Sequence, residues 1–468
     1  MGRLDVRCNA SIPVTILTNN TLKETATKNI GLKGALLKTS LPFSEKEVIR
    51  LKAVIPESGE FQSDVRIVRK DRSGIAVRFL NIDQSSRQIL WNYIKEHIDR
   101  TGQCPFCGSN NGKDHTNTCS SCGLPVNVYE KEFHELEQEI AKQWLKYIDN
   151  ATDEFIRQCK YIEDLIDKKT FSPHDIYLKL KNTFNEFIDK AELFETGISN
   201  KTLIEECRKR FHEKTNPIFI KSYAFNRTRT WPQGYQGDFK TLEGIYRNTP
   251  MSTGIGYYMD YYALNSTLAQ GVRNRLRILT ELLTIELEQR KEPKVLNIAC
   301  GSCREILDLI PQIKISGARI TCLDTDEDAL SFAYNRLSND PEVISNLEFR
   351  YYNALRLFDY EIVERDFPKQ DIIYSVGLFD YLQTDMLIKI LRNLYRHLNK
   401  KGVLIAAFKD VRQYRPQPYH WFMDWTGFLQ RNEDDFLSIL KESEIPNEAV
   451  SNKRDETGAI IFYTITKL

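Results

Sequence analysis

The chain has 468 residues, too many for one hydrophobic core, so two to four domains are expected. Lys and Arg number 65 against 64 Asp and Glu, a net charge of +1, which excludes a global field aimed at a nucleic acid polymer or an anionic membrane. No apolar run approaches the ~20 residues of a transmembrane segment, the first residues lack a signal-peptide pattern, and the ten cysteines, four of them in a metal-type spacing, fit a reducing cytoplasm.

Five β-rich runs open the chain: Ser11–Leu17, Leu32–Thr39, Glu47–Ile55, Phe61–Val68 and Ile75–Leu80. Turn residues separate them, and the spacing predicts a small antiparallel β-barrel over residues 1–100, closed or nearly closed. An amphipathic helix, Ser85–Arg100, follows. Arg3-xxx-Arg7 precedes the first run, and Asn29-Ile-Gly31-Leu-Lys-Gly34 leads into the second. With the barrel, these segments resemble a PilZ domain, the bacterial receptor for cyclic di-GMP, which uses an RxxxR and a (D/N)xSxxG segment. The resemblance implies that Arg3, Arg7, Asn29 and Gly34 bind the dinucleotide, with guanidinium forks taking phosphates and guanine edges. Gly31 stands where the family has Ser, which removes one hydroxyl contact and frees the loop. The alternative is a degenerate barrel serving in dimerisation or docking.

Over residues 101–127, Cys104-Pro-Phe-Cys107-Gly and Cys119-Ser-Ser-Cys122-Gly form two CxxC knuckles separated by eleven residues. Two facing knuckles make a tetrahedral four-cysteine zinc ribbon, a structural site that staples a segment with almost no core. Lys113 is its one Lys and it has no Arg, which argues against a phosphate footprint. His115 is a spare ligand that four cysteines make unnecessary. Residues 128–215 carry apolar side chains every three to four positions, such as Phe133, Leu136, Ile140, Trp144 and Ile148, and predict a helical linker or bundle. Such faces also pair between copies of a chain, so a homodimer is one expectation.

Residues 216–293 change character. The run from Asn226 to Phe239, NRTRTWPQGYQGDF, is dense in glycine and aromatics, a tyrosine cluster follows, and a helix carrying Val272-Arg273-Asn274-Arg275 continues to Glu288. Residues 294–468 then read as strand, tight turn, helix, strand, acid. Lys294–Ile298 is the first strand, Arg304–Ile313 a helix, and Ala318–Leu323 a second strand ending at Asp324. Asn297-x-Ala299-x-Gly301 keeps one of the glycines of a pyrophosphate loop, while Asp324 suits a ribose with free hydroxyls, so an adenosine ligand without a diphosphate fits better than a dinucleotide. Leu347–Tyr352 and Gly402–Phe408 supply further strands, Asp371–Tyr381 a strand with its loop, and Ala449–Asn452 with Ile460–Thr466 an antiparallel edge.

These motifs resemble motifs I and II of class I S-adenosylmethionine (SAM) methyltransferases. GYxGD, the VRNR helix, ACGxxRE and YSVGLFDYL together resemble, over residues 216–468, the bacterial methyltransferases that make a 3-hydroxy fatty acid methyl ester used as a quorum signal. The fold class expected is therefore multidomain: a small antiparallel β-barrel, a zinc ribbon, a helical linker, a substrate cap and an α/β Rossmann-like class I methyltransferase domain.

The resemblance implies a SAM site at Asn297, Ala299, Cys300, Gly301, Arg304, Asp324, Thr325, Asn353, Ala354, Ser375 and Gly377. A carboxylate acceptor is ionised at neutral pH and needs orientation rather than a base; Tyr235, Arg273, Arg275 and Tyr257 are the candidates for that task. An amine or alcohol would want a base, with His420 or Asp238 first. Cys300 and Cys303 read as small packing residues. The function expected is SAM-dependent O-methylation of a small-molecule acceptor, a fatty or hydroxy-fatty acid carboxylate, under cyclic di-GMP control in a bacterial cytoplasm. The alternatives are a methyltransferase for a protein or another small molecule, and a signalling adaptor whose SAM domain has lost turnover.

Overall fold

The computed structural model describes residues 5–18, 21–44, 47–71, 73–80, 82–98, 103–107, 109, 118–121, 124–198 and 200–468. Arg3, Lys113, His115 and Cys122 lie outside the described residues. The chain divides into two compact units, Met1–Asn150 with Leu193–Lys201, and Ala151–Glu192 with Thr202–Leu468.

The first unit is built on seven strands: β1 (Arg7–Cys8), β2 (Pro13–Thr18), β3 (Thr21–Gly31), β4 (Gly34–Leu37), β5 (Val48–Ile55), β6 (Gly59–Asp71) and β7 (Gly74–Phe79). Their order is β1-β3-β2-β5-β6-β7-β4, and β4 pairs back onto β3, so six antiparallel strands close into a barrel with β1 added at one rim. The alternation is plain in β5, where Ile49, Leu51, Ala53 and Ile55 point inward, and Val65, Ile67, Val77 and Phe79 meet them from β6 and β7. Sequence periodicity misses β3. Its run TLKETATKNIG carries few apolar side chains, and ladder bonds to β2 and β4 hold it extended where local pattern does not. The helix Gln84–His97 starts at Asp83, whose carboxylate accepts from the Ser86 N–H, and buries Leu90, Trp91 and Ile94.

Three long helices follow, Phe133–Lys168, Pro173–Gly197 and Lys201–Phe219. They are not a compact unit of their own: residues 133–150 and 193–201 group with the barrel and the remainder with the second unit. Within the second unit, Phe155, Phe187, Phe211 and Phe219 pack with Trp421 and Phe422 in a buried ring cluster, with the Phe187 and Phe211 centroids 4.3 Å apart. The half-buried Arg229 guanidinium lies 3.8 Å from the Phe219 ring and donates to the Phe422 carbonyl, which fixes the 421–425 segment.

The second unit holds the sheet β10-β9-β8-β11-β12-β14-β13, from β8 (Lys294–Ile298), β9 (Arg319–Asp324), β10 (Leu347–Tyr351), β11 (Gln370–Ser375), β12 (Leu398–Lys409), β13 (Val450–Arg454) and β14 (Ile460–Thr466). The first five are parallel, and β14 runs antiparallel between β12 and β13. Alternate side chains enter two cores. Leu296, Ile373 and Leu404 face one helical layer, and Val295, Ile372 and Val403 the other. The connection reverses direction between β8 and β11, which opens a crevice at the carboxyl ends of the strands. The predicted helix Arg304–Ile313 is two helices, Arg304–Asp308 and Ile310–Ser316, because Pro311 has no N–H to continue the first and instead opens the second.

Candidate functional site

The turn after β8 is held in an unusual backbone conformation. Ala299, Gly301 and Cys303 all have left-handed φ, at 56°, 52° and 48°, and only glycine adopts this without steric cost. The turn is fastened to β9 at two points. The Cys300 N–H donates to the Leu323 carbonyl at 2.9 Å, and the Gly301 N–H to Asp324 Oδ2 at 2.7 Å. The other Asp324 oxygen accepts from the Asp326 N–H at 3.0 Å. Burial raises the Asp324 pKa above the ordinary carboxylate value, and these backbone donors oppose that rise. A carboxylate has about four lone-pair sites, so Asp324 keeps capacity for two ligand hydroxyls.

Beneath the turn sits a buried polar cluster. Asn297 Nδ2 and the Tyr374 hydroxyl both donate to Glu305 Oε1 at 2.9 Å, and burial pushes the Glu305 carboxyl up to about 7. Above it, the helix Phe239–Arg247 clamps the turn through Glu243, which accepts from Ser302 Oγ at 2.7 Å and from both terminal nitrogens of Arg336 at 2.7 and 2.6 Å. That helix is set by Asp238, which caps Lys240 and Thr241 N–H and takes the Arg227 guanidinium at 2.6 Å. The preceding strap spans the edge of the crevice. Tyr235 donates to Asp326 at 2.7 Å, Gln233 to Asp328 at 2.9 Å, and Gln236 bonds the Asp424 carbonyl and the Gly427 N–H.

Next to this edge lies a cavity with a mainly apolar wall that includes Leu242, Ile245, Leu264, Val272, Met423 and Phe428. Gly377, at the end of β11, and Tyr419 and Trp425 from the aromatic segment also line it. Four charged side chains reach the wall. Arg227 is paired with Asp238, Lys409 with the buried Asp380, and Asp260 accepts from Ser222 Oγ and three backbone N–H groups. Arg275 is different. It is buried, it donates through Nη1 to the Val376 carbonyl, and among the described residues it has no ion pair and its Nε has no hydrogen-bond partner. Tyr381 lines the same wall; its hydroxyl accepts from Trp425 Nε1 at 2.8 Å, and the Arg275 charge acts on it.

The predicted SAM residues therefore gather at one edge. Ala299, Cys300, Gly301, Asp324 and Thr325 end β8 and β9, Asn353 and Ala354 follow β10, and Gly377 follows β11. Some spend their polar groups on the fold. Ser375 Oγ donates to the Ile298 carbonyl, Asn353 caps Leu355 N–H, Asn297 serves Glu305, and Arg304 stands 4.0 Å from Glu243. Arg275 lines the cavity, whereas Arg273, Tyr235, Tyr257 and His420 do not, and Asp238 is consumed as a cap. Sequence reasoning missed Glu243, Arg336 and Tyr381, whose partners are 59 or more residues away for Glu243 and 44 for Tyr381. For Asp238, the Asp-x-x-Thr spacing ahead of an amphipathic run was a readable cap signal.

In the barrel unit a second cavity is lined by Arg7, Lys33, Arg69 and Arg78 together with Asp5, Asn29 and Gly34. Arg7 Nε lies 3.3 Å from Asp5 Oδ2, while Asp5 Oδ1 and Asn29 Oδ1 are buried without partners among the described residues. A Cβ on Gly31 would stand 2.7 Å from both Asp5 Oδ2 and the Val6 carbonyl, and one on Gly34 2.2 Å from the Val77 carbonyl, so close approach explains both glycines. Beyond β1, the Arg7 N–H donates to the Pro105 carbonyl beside the cysteine knuckles. Cys104, Cys107 and Cys119 bring their sulfurs within 4.8 Å of one another. Cys107 and Cys119 are 3.7 Å apart, and tetrahedral Zn–S bonds of ~2.3 Å separate sulfurs by about 3.8 Å, so this donor set fits zinc.

Residues 2–96 match the PilZ domain family model, and residues 296–404 match a methyltransferase domain model. No curated protein matches the chain. Among solved structures, a possible exported protein from Bordetella parapertussis is similar at 13% identity and TM-score 0.42, covering 68% of this chain and 96% of its own. Magnesium protoporphyrin IX methyltransferase from Synechocystis PCC 6803 is similar at 14% identity and TM-score 0.33, over 43% of this chain and 86% of its own. The N-methyltransferase NodS from Bradyrhizobium japonicum WM9 is similar at 16% identity and TM-score 0.30, over 42% and 96%. No helix among the described residues is long and apolar enough to cross a membrane.

Proposed function

We propose that this chain, which carries a PilZ domain and a methyltransferase domain, transfers the methyl group of SAM to the carboxylate of an apolar-tailed acid, a fatty or hydroxy-fatty acid. The observation that carries this reading is Arg275: a buried guanidinium with no carboxylate partner among the described residues, on the wall of a mainly apolar cavity beside the crevice. A lone buried cation is costly, and an anionic ligand removes that cost. The sulfonium of SAM is itself a good electrophile, so alignment and exclusion of water suffice. Arg275 and the Tyr381 hydroxyl orient the carboxylate, the apolar wall takes the tail, and the strap at Gln233–Gln236 excludes water. The two candidate bases do not reach the cavity freely, since Asp238 is a capped ion pair and His420 is off its wall, which agrees with an acceptor already ionised.

The test is methyl transfer from isotope-labelled SAM to a series of 3-hydroxy fatty acids, with the ester identified by mass spectrometry. Arg275→Met raises KM for the acid by tenfold or more, and the matching fatty alcohol is not methylated. Equal turnover of acid and alcohol, or an unchanged KM in the variant, removes the carboxylate from the assignment.

For the barrel we propose cyclic di-GMP as the ligand. Four cations offer partners for its two phosphates, and the unpaired Asp5 and Asn29 oxygens suit the N–H donors of a guanine edge. Arg7→Ala abolishes calorimetric binding of the dinucleotide on this reading; a variant that binds as tightly as the native chain removes Arg7 from the site.

A further inference from the structure

One wall of the barrel cavity comes from outside the segment that matches the PilZ model: Trp144, Leu193, Thr196 and Gly197. Lys33, the residue before Gly34, donates to the carbonyl oxygen of Gly197 at the end of the helix Pro173–Gly197. That oxygen belongs to the last helical turn, whose carbonyls have no partner within the helix, and a cation there is favoured by the helix dipole. The same ammonium stands 5.4 Å from the centroid of the Trp144 ring. Gly197 covers the indole so closely that a Cβ at this position would lie 2.2 Å from a ring carbon. Lysine, helix end and indole are thus one packed assembly inside a cationic cavity. Its bonding is incomplete, because the buried Trp144 N–H has no acceptor among the described residues. Burial also lowers the Lys33 pKa to about 8, against the pull of Asp5, so a carbonyl and a ring under-compensate the charge.

We propose that Lys33 is a phosphate-operated latch: a cyclic dinucleotide draws its ammonium away from Gly197, and the last turn of the helix Pro173–Gly197 is released. This rests on the reading of the barrel cavity as a cyclic di-GMP site. A phosphodiester oxygen carries a full charge where the carbonyl is a dipole, so in a partly desolvated cavity it attracts the ammonium more strongly and exchange of partners is downhill. The vacated carbonyl turns to water, the Trp144 N–H gains an acceptor on the ligand, and the 194–197 turn frays. The turn that frays ends a helix whose residues 173–192 belong to the methyltransferase unit.

The experiment is hydrogen–deuterium exchange across residues 194–201 of the full chain, with and without cyclic di-GMP, alongside calorimetry. In the native chain the ligand speeds exchange there. Lys33→Met shows the faster exchange without ligand, binds at least about tenfold more weakly, and does not respond further. Lys33→Gln keeps a donor for Gly197 but no charge; it retains the slow exchange and loses affinity. The latch is overturned if the ligand binds the native chain yet leaves exchange at 194–201 unchanged, or if both Lys33 variants bind as tightly as the native chain. A native chain that binds no cyclic di-GMP overturns the ligand reading itself, and the latch with it.

Discussion

At the scale of single residues, two carboxylates at the same crevice do opposite work. Asp324 is positioned by the Gly301 and Asp326 N–H groups at the crevice, and on the proposed function it takes the ribose hydroxyls. Asp324→Ala therefore weakens SAM binding by tenfold or more, on the ~1.5–3 kcal/mol scale of charge-assisted hydrogen bonds, and calorimetry that finds the native affinity refutes the ribose assignment. Glu305 is buried under the turn, and burial raises its pKa from 4.5 to about 7. Between those values the folded chain holds a proton that the unfolded chain has released. Stability from this group is full below about pH 4.5, falls as pH rises through the window, and is lost above about 7. Glu305→Gln keeps an oxygen for Asn297 and Tyr374 but cannot ionise. It matches the native chain at pH 4 and exceeds it at pH 8 by on the order of 3 kcal/mol; urea unfolding at several pH values reads the difference, and parallel curves would contradict it.

At the scale of elements, the turn from Ala299 to Cys303 is where local strain and tertiary fastening meet. Two of its three left-handed residues are not glycine. Ala299→Gly should leave stability unchanged or raise it by up to about 1 kcal/mol, whereas Ala299→Val costs roughly 2 kcal/mol and weakens SAM binding with it. Thermal unfolding with and without SAM checks both directions, and a valine variant of native stability would show that the turn is not strained. Much of this element was legible in sequence, because an apolar run, small residues and an acid at the end of the next run require a strand, a tight turn and a strand. The reading matched β8 and β14 at both ends. It failed at β3, whose polar sequence is held by neighbours on both sides, and at Leu309, where Pro311 splits one apolar period into two helices. The clamp of Glu243 on Ser302 and Arg336 was illegible for another reason. It joins three segments separated by 59 and 93 positions, and no local pattern encodes which carboxylate meets which guanidinium.

At the scale of the whole molecule, the cysteine knuckles acquire a purpose that their spacing alone does not give. The strand carrying Arg7 is two residues long, paired with β3 on one side at Arg7↔Gly31 and Cys8↔Ile30. On its other side the Arg7 N–H is bonded to Pro105, between Cys104 and Cys107. A two-residue strand cannot hold its own register, so its position depends on both neighbours. Among the described residues the knuckle has little core, with Phe106, Leu124 and Val128 its main buried apolar side chains, and a fold of this kind that holds a metal unfolds when the metal is removed. Zinc is thus expected to govern nucleotide affinity at a distance from the ligand. Elemental analysis should find one zinc per chain. Chelation should lower the melting temperature of the barrel unit and weaken cyclic di-GMP binding by tenfold or more, while SAM affinity, which depends on the β8 and β9 turn in the other unit, stays the same. Cys107→Ser should reproduce both effects without a chelator. If the metal can be stripped with no change in nucleotide affinity, the knuckle does not support β1, and the bond from Arg7 to Pro105 is incidental to binding.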